Sequence, residues 1–268
     1  MVGIFNNEGF GTQRRLGQAQ NGLNNTLNRL SSGRRINSAS DDAAGLQIAN
    51  NLRADIRVLN QAQRNAGTGL AITNIADGSL TQANDLLTRA AEISLQAASG
   101  TTSDAGRDAL NQELQGIFAE LDSLGQNTRF DGQALFGSDI GVRVGENASE
   151  QVNISVDNLS AGDLGLAGID LNDPAQASAA ISQITGAIEQ VSASRGSLGA
   201  TQQRLNTTIE SIQSQVISTQ EAESQISDAD VAEEVVNLTK LKILSESNVS
   251  ALAQGNNLRA QNVLSLLN

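Results

Sequence analysis

Apolar residues recur along this chain at helical spacing for most of its length. Leu16, Leu23, Leu27 and Leu30 stand seven, four and three apart, which predicts a first helix closing at "SSGRR", with Gly33 as its C-cap. "NSASDD" then offers Ser38, Ser40 or Asp41 as N-cap of the next helix, with Asp42 placed to interact with its N-terminal dipole. Leu46, Ala49, Leu52, Ile56 and Leu59 continue the helical spacing. Gly67 and Gly69 predict a weak stretch over 60–69 before the helix resumes from Leu70 to Gln96. "ASGTTSDAG" (98–106) reads as a turn, and a third helix follows from Asp104 to Gly125.

The pattern then changes. "VRV" (142–144) and "VNISV" (152–156) alternate apolar and polar across "GENASEQ", the signature of a β-hairpin with a long turn. "LSAGDLGLAGIDLNDP" (159–174) reads as loop. Beyond it, alternating steps of three and four from Ile181 reach Ile184, Ile188, Val191, Arg195, Leu198, Gln202, Leu205, Ile209, Ile212, Val216 and Thr219. Eight of these eleven further positions are apolar, which is a heptad pattern of the coiled-coil type. At about 1.5 Å per residue, a helix over 181–219 is ~58 Å long and predicts a rod. After "SQISDAD" (224–230) a last amphipathic run carries Val231, Val235, Leu238, Val249, Leu252, Val263, Leu266 and Leu267. Apolar stripes on both terminal helices are the expected mark of a subunit whose ends order in a polymer. The fold class is mainly α, a long coiled-coil-like helical bundle with one small β-hairpin region over 127–175.

Composition narrows the chemistry. The 268 residues include no Cys, His, Trp or Tyr, one Pro and five Phe. The commonest general base, thiol nucleophile and soft metal ligands are therefore missing, which argues against an enzyme. The net charge of −12 is uneven: residues 1–60 hold seven Arg and four acids, whereas Leu205 to Thr239 hold seven acids and no Lys or Arg. Without Lys clusters and stacking aromatics, the basic N-terminal segment is expected to lie against the acidic C-terminal one, not on nucleic acid. No run of ~20 apolar residues suits a membrane helix, and "MVGIFNNEGFGTQRR" lacks the basic-then-apolar order of a Sec signal peptide.

Candidate chemical sites do not survive inspection of their spacing. Asp41 and Asp42 are adjacent, so on a helix they point about 100° apart. No G-x-G-x-x-G or G-K-[ST] element occurs, and Asp228, Asp230, Glu233 and Glu234 lack the spacing and central Gly of a calcium loop. N-x-S/T triplets, at Asn147, Asn153, Asn158 and Asn206 among others, are expected by chance in a chain this rich in Asn, Ser and Thr.

The residues "RLSSGRRINSASDDAAG" (29–45) and the sequence running on to "EISLQAASG" resemble the N-terminal conserved region of bacterial flagellin. "QISDADVAEEVVNLTKLKIL" and the closing "QNVLSLLN" are similar to its C-terminal region. The resemblance implies two discontinuous domains. An inner one is formed by 1–40 with 229–268, and a helical rod domain by 41–228 including the hairpin region, in a short form lacking the large outer domains. Ser38, Ser40, Asp41, Asp42 and Gly45 then form the elbow between them.

What the resemblance implies in function is a structural subunit, not an enzyme and without cofactor. Such subunits polymerise into the hollow extracellular filament of the flagellum, for motility. Export through the flagellar type III pathway without a cleaved signal peptide is implied too, as is a chaperone on the C-terminal helix (229–268). Further implied partners are a cap protein, hook-associated junction proteins and other copies of the chain. Neither nucleic-acid binding nor membrane insertion is expected. "RAAEISLQ" (89–96) is similar to the stretch through which the flagellin-sensing Toll-like receptor detects many flagellins. Arg89, Glu92 and Gln96 match it, Ile93 replaces Leu, and Glu120 matches the acid on the neighbouring helix, while Ala91 and Ser94 depart from it. The rivals are a hook–filament junction protein, a filament-embedded enzyme and a basic-arm nucleic-acid binder.

Overall fold

The computed structural model describes residues 2–145, 147 and 149–267, with side chains described except at 2–9, 259 and 262–267. Five helices and two small hairpins follow in the order α1 (Val2–Ser32), α2 (Ala43–Ala98), α3 (Asp104–Asn127), β1 (Arg129–Phe130), β2 (Gln133–Ala134), β3 (Ser138–Arg143), β4 (Gln151–Val156), α4 (Pro174–Ser227) and α5 (Val231–Leu267). The chain divides into two compact units: a terminal unit, Met1–Asp55 with Ser218–Asn268, and a helical unit, Ile56–Ile217.

In the helical unit α2 packs against α3 and α4. Its inward face is Ala62, Ala66, Gly69, Thr73, Ala76, Leu80, Ala83, Leu87, Ala90, Ser94 and Ala97, all buried, at alternating steps of four and three. This is a heptad seam built largely of small residues. It runs through the 60–69 stretch, so the weak point expected there is absent. Gly69 packs tightly, since a Cβ would stand 3.0 Å from Val142 Cγ2 and 3.4 Å from Leu205 Cδ1. Across from it on α4, Ile184, Val191, Leu198, Leu205 and Ile212 are buried, as the heptad on that helix requires. Ile188 and Ile209 are only half-buried, and Ala187 and Ser194 lie deeper. Two of the three polar interruptions of the α4 heptad are partnered across to α2. Arg195 Nε donates to Asp77 Oδ1 at 2.9 Å, and Gln202 Nε2 donates to Asn74 Oδ1 at 3.2 Å.

Helix α3 starts on Ser103, whose side chain accepts from the Gly106 amide. The segment after β4 is irregular but contributes to the core: Leu159, Leu164, Leu166, Ile169 and Leu171 are buried. It is laced to α3 by Ala161 N–H donating to Asp122 Oδ1 (2.7 Å) and Leu171 N–H to Asn111 Oδ1 (3.2 Å). Buried Arg107 adds to this, donating to the carbonyls of Thr102 and Asn172 and pairing with Asp104. A backbone-heavy loop can be buried here because side chains of α3 satisfy its polar groups.

The predicted hairpin is present with β3 and β4 antiparallel, Ser138 opposite Val156 and Arg143 opposite Gln151. The first strand begins four residues earlier than "VRV" suggests. Val152, Ile154 and Val156 turn into the core. A second hairpin, β1–β2, was not expected; it turns on Asp131 and Gly132, both at positive φ (50° and 79°).

In the terminal unit α1 and α5 pack antiparallel. Arg29 pairs with Glu234, and a Cβ on Gly22 would touch Leu241 at 3.1 Å. Gly33, at φ 68°, closes α1. The α1 helix runs back to Val2, well before the apolar spacing that begins at Leu16.

Candidate functional site

The elbow at 33–45 is a hydrogen-bonded joint. Asp41 Oδ2 accepts from the amides of Asn37 (3.1 Å) and Ser38 (2.9 Å) and from Ser38 Oγ (3.0 Å), while Ser38 and Ser40 share a hydroxyl contact at 2.7 Å. The bonds from Ser38 and Asn37 hold the Asp41 carboxyl below its usual range. Asp42, immediately before Ala43, accepts from the Gly45 amide at 2.9 Å and is the N-cap of α2. The structure thus corrects two assignments. Ser38, Ser40 and Asp41 hold the turn before the helix, and Asp42 caps the helix itself. A Cβ at Gly45 would come within 2.5 Å of Asp42 Oδ2 and 2.7 Å of buried Ile36 Cδ1, so a side chain there displaces the capping carboxylate.

The same joint is clipped to the α4–α5 connection. Arg35 N–H donates to Ser227 O (2.7 Å), Ala229 N–H donates to Gly33 O (3.0 Å), and Arg34 and Asp228 form an antiparallel bridge. Arg35 Nη2 reaches Ile226 O at 2.9 Å. Arg53 donates to Glu223 Oε1 (2.8 Å) and Ser227 Oγ (2.7 Å). Basic N-terminal and acidic C-terminal segments therefore meet within the terminal unit, at Arg29–Glu234 and Arg35–Ile226/Ser227.

Helix α5 presents two kinds of face. Glu234, Leu238, Leu241, Ser245, Asn248 and Leu252, at steps of four and three and with Asn237 beside them, are its more buried positions. Of the expected assembly residues, Leu238 and Leu252 lie on this inner seam, and Val231, Val235 and Val249 are exposed. The side chains of Val263, Leu266 and Leu267 lie outside the described residues. Sequence reading missed Val236 (67 % exposed) and Ile243 (60 % exposed), along with Leu244. Val235, Val236, Thr239, Lys240, Ile243 and Leu244 line an open, largely apolar groove of about 470 Å³.

The resemblance-derived recognition residues divide in the same way. Arg89, Glu92 and Gln96 on α2 and Glu120 on α3 are exposed, but Ile93 is buried in the core. Arg89 donates to Glu113 Oε1 (2.8 Å) on α3 and to Glu92 Oε2 (3.2 Å), and these carboxylates, Glu113 first, push the guanidinium pKa up. Exposed Leu95 lies among them on the α2 sequence. Among the described residues no cluster of acids could hold a metal ion, and no helix is long and apolar enough to cross a membrane.

Comparison with known proteins matches these elements at both ends of the chain. The family model for the bacterial flagellin N-terminal helical region matches residues 6–139, and that for the C-terminal helical region matches 181–267. B-type flagellin of Pseudomonas aeruginosa is 45% identical over 157 residues, covering 58% of this chain and 32% of that protein. Phase 1 flagellin of Salmonella naestved is 38% identical over 169 residues, covering 62% and 34%. The chain thus spans about a third of the length of the curated relatives it matches. Among solved structures, Bacillus cereus flagellin aligns with a TM-score of 0.51 at 22% identity, covering 56% of this chain and 88% of that one. A putative flagellar hook-associated protein from Vibrio parahaemolyticus aligns with a TM-score of 0.59 at 16% identity, covering 70% and 100%. At such identities these two share the fold alone. The paired terminal helices, the helical unit between them and the two matched regions together show that the chain belongs to the bacterial flagellin family.

Proposed function

We propose that the chain is a structural subunit of the bacterial flagellar filament, polymerising with further copies of itself outside the cell to form the hollow helical fibre used for motility. One observation carries this beyond family membership: α5 turns Val235, Val236, Ile243 and Leu244 outward. Burying such a face between copies removes apolar surface from water, at roughly 25 cal/mol per Å². In this reading 1–40 with 229–268 forms the filament core, and 41–228 forms the layer around it. Export runs through the flagellar type III pathway, with a chaperone on 229–268, a cap protein at the growing tip and hook-associated proteins at the base.

The test is electron microscopy of the purified 268-residue chain in kosmotropic salt, which strengthens apolar burial. Long filaments are expected from the intact chain and none from a chain lacking 229–268. Filaments from the truncated chain would overturn the proposal. A hook–filament junction role is the second reading, and it predicts short oligomers in place of long fibres.

Recognition by the flagellin-sensing Toll-like receptor is proposed through Arg89, Glu92, Gln96 and Glu120, with Ile93 supporting them from beneath. In a cell reporter assay, Arg89→Ala is expected to weaken signalling by soluble monomer. Full signalling would remove Arg89 from the assignment.

A further inference from the structure

Helix α5 carries apolar side chains on several faces, and the face it turns toward α1 is not the most apolar. Its inner seam is half polar, with Glu234, Ser245 and Asn248 among Leu238, Leu241 and Leu252. Val235, Val236, Ile243 and Leu244 point elsewhere and remain exposed. A helix apolar around much of its circumference can satisfy hydrophobic burial in more than one rotational setting. Something other than apolar burial must therefore select the observed face.

The clip at 33–35 and 227–229 fixes where α5 starts along α1, and its last bond, at Ala229, lies two residues before the helix begins. One turn into α5 lies Glu234, 7 % exposed, with Oε1 accepting from Arg29 Nη1 at 3.3 Å. Its other oxygen, Oε2, is buried and finds no hydrogen-bond partner among the described residues. A buried carboxylate is tolerated beside its cation and strongly disfavoured away from it. Turning α5 so that Ile243 faced α1 would carry Glu234 away from Arg29. Buried polar groups that specify register while costing stability are known from coiled coils.

We infer that the Arg29–Glu234 pair selects which face of α5 packs against α1, and so which apolar face stays outward. The pair is a conformational selector within the terminal unit, and its action does not depend on the filament reading. Its removal leaves α5 helical but lets other faces meet α1.

The chain contains no Cys, so thiol cross-linking reads the packing without interference. Two reporter pairs are introduced separately into the full-length chain. Gly22→Cys with Leu241→Cys reports the observed face, where the Gly22 position and Leu241 are in contact. Gly22→Cys with Ile243→Cys reports a face about 200° around the helix. Each is combined with Arg29→Met and Glu234→Met together, which keep bulk and remove charge, and is treated with a short bis-thiol reagent. Circular dichroism checks that helicity is kept. Without the Met substitutions, the 22–241 product is expected to exceed the 22–243 product at least tenfold. With them, that ratio is expected to fall at least fivefold. Loss of both products with helicity intact would overturn the selector, since α5 would then have left α1 instead of turning another face to it. Loss of helicity is resolved by Glu234→Gln, which keeps the shape and a hydrogen-bonding head and is expected to lower the ratio less than Met. An unchanged ratio in the double-Met or the Gln background with helicity intact, or no 22–241 product in the starting chain, would overturn the inference.

Discussion

In the helical unit, the α2 seam is mostly buried Ala, Gly, Ser and Thr with two Leu, Ile72 and Ile93 are buried beside it, and the larger side chains of α3, α4, the hairpin and the 159–171 segment fill the remaining space. In the terminal unit, α5 meets α1 through a seam that is half polar, and larger apolar residues such as Val236 and Ile243 face out. The first arrangement is a closed core. The second leaves apolar surface uncovered, and its internal contacts lean on an ion pair and a backbone clip. The difference teaches where each unit's stability comes from: interior close packing in one, and in the other a few specific polar contacts beside apolar surface left uncovered.

The largest effect that could break this contrast is in the closed core. Leu87→Ala removes a fully buried side chain and is expected to cost roughly 2–5 kcal/mol, read by chemical denaturation. A cost below about 1 kcal/mol would mean the core is looser than its burial implies. In the terminal unit, Asp42→Ala is expected to cost about 1 kcal/mol by loss of the α2 cap. Gly45→Ala is expected to cost about the same, since the new methyl displaces that same carboxylate. The double substitution should then cost clearly less than the sum, which a double-mutant cycle measures.

Smaller still is the outward face. Val236→Ser with Ile243→Ser is expected to change unfolding free energy by no more than ~0.5 kcal/mol per site while abolishing fibres in the microscope. A large destabilisation would show that this face is packed within the chain. The smallest effect concerns Asp41. Its folded pKa is depressed below 3.8, so its contribution is present above pH 3.8 and is lost as pH falls through the folded value. The amide resonances of Asn37 and Ser38 are expected to titrate with a midpoint below 3.8.

Much of the helical unit was legible from its pattern. The α4 heptad is carried by Ile, Leu and Val against a polar background, so its period stands out. The equally regular seam of α2 was not legible, because Ala, Gly, Ser and Thr at its positions differ little in hydropathy from the residues around them. The β1–β2 hairpin left one usable sign, the Asp-Gly of "RFDGQA", but strands of two residues show no alternation. In the elbow, two adjacent acids are equivalent on paper, and only the backbone direction at 41–43 gives Asp42 the cap and Asp41 the turn.

Sequence by itself determined the family, the run of long helices and the hairpin near 142–156, because periodicity and specific motifs are local properties that a chain carries unfolded. Tertiary structure alone decided which faces of α5 are inner and outer, which acid caps α2, and that Ile93 lies beneath the exposed Arg89, Glu92 and Gln96. Those outcomes depend on which residues distant in sequence come to stand opposite one another, as Arg29 does Glu234. A helix apolar on several sides holds that information only in its partners.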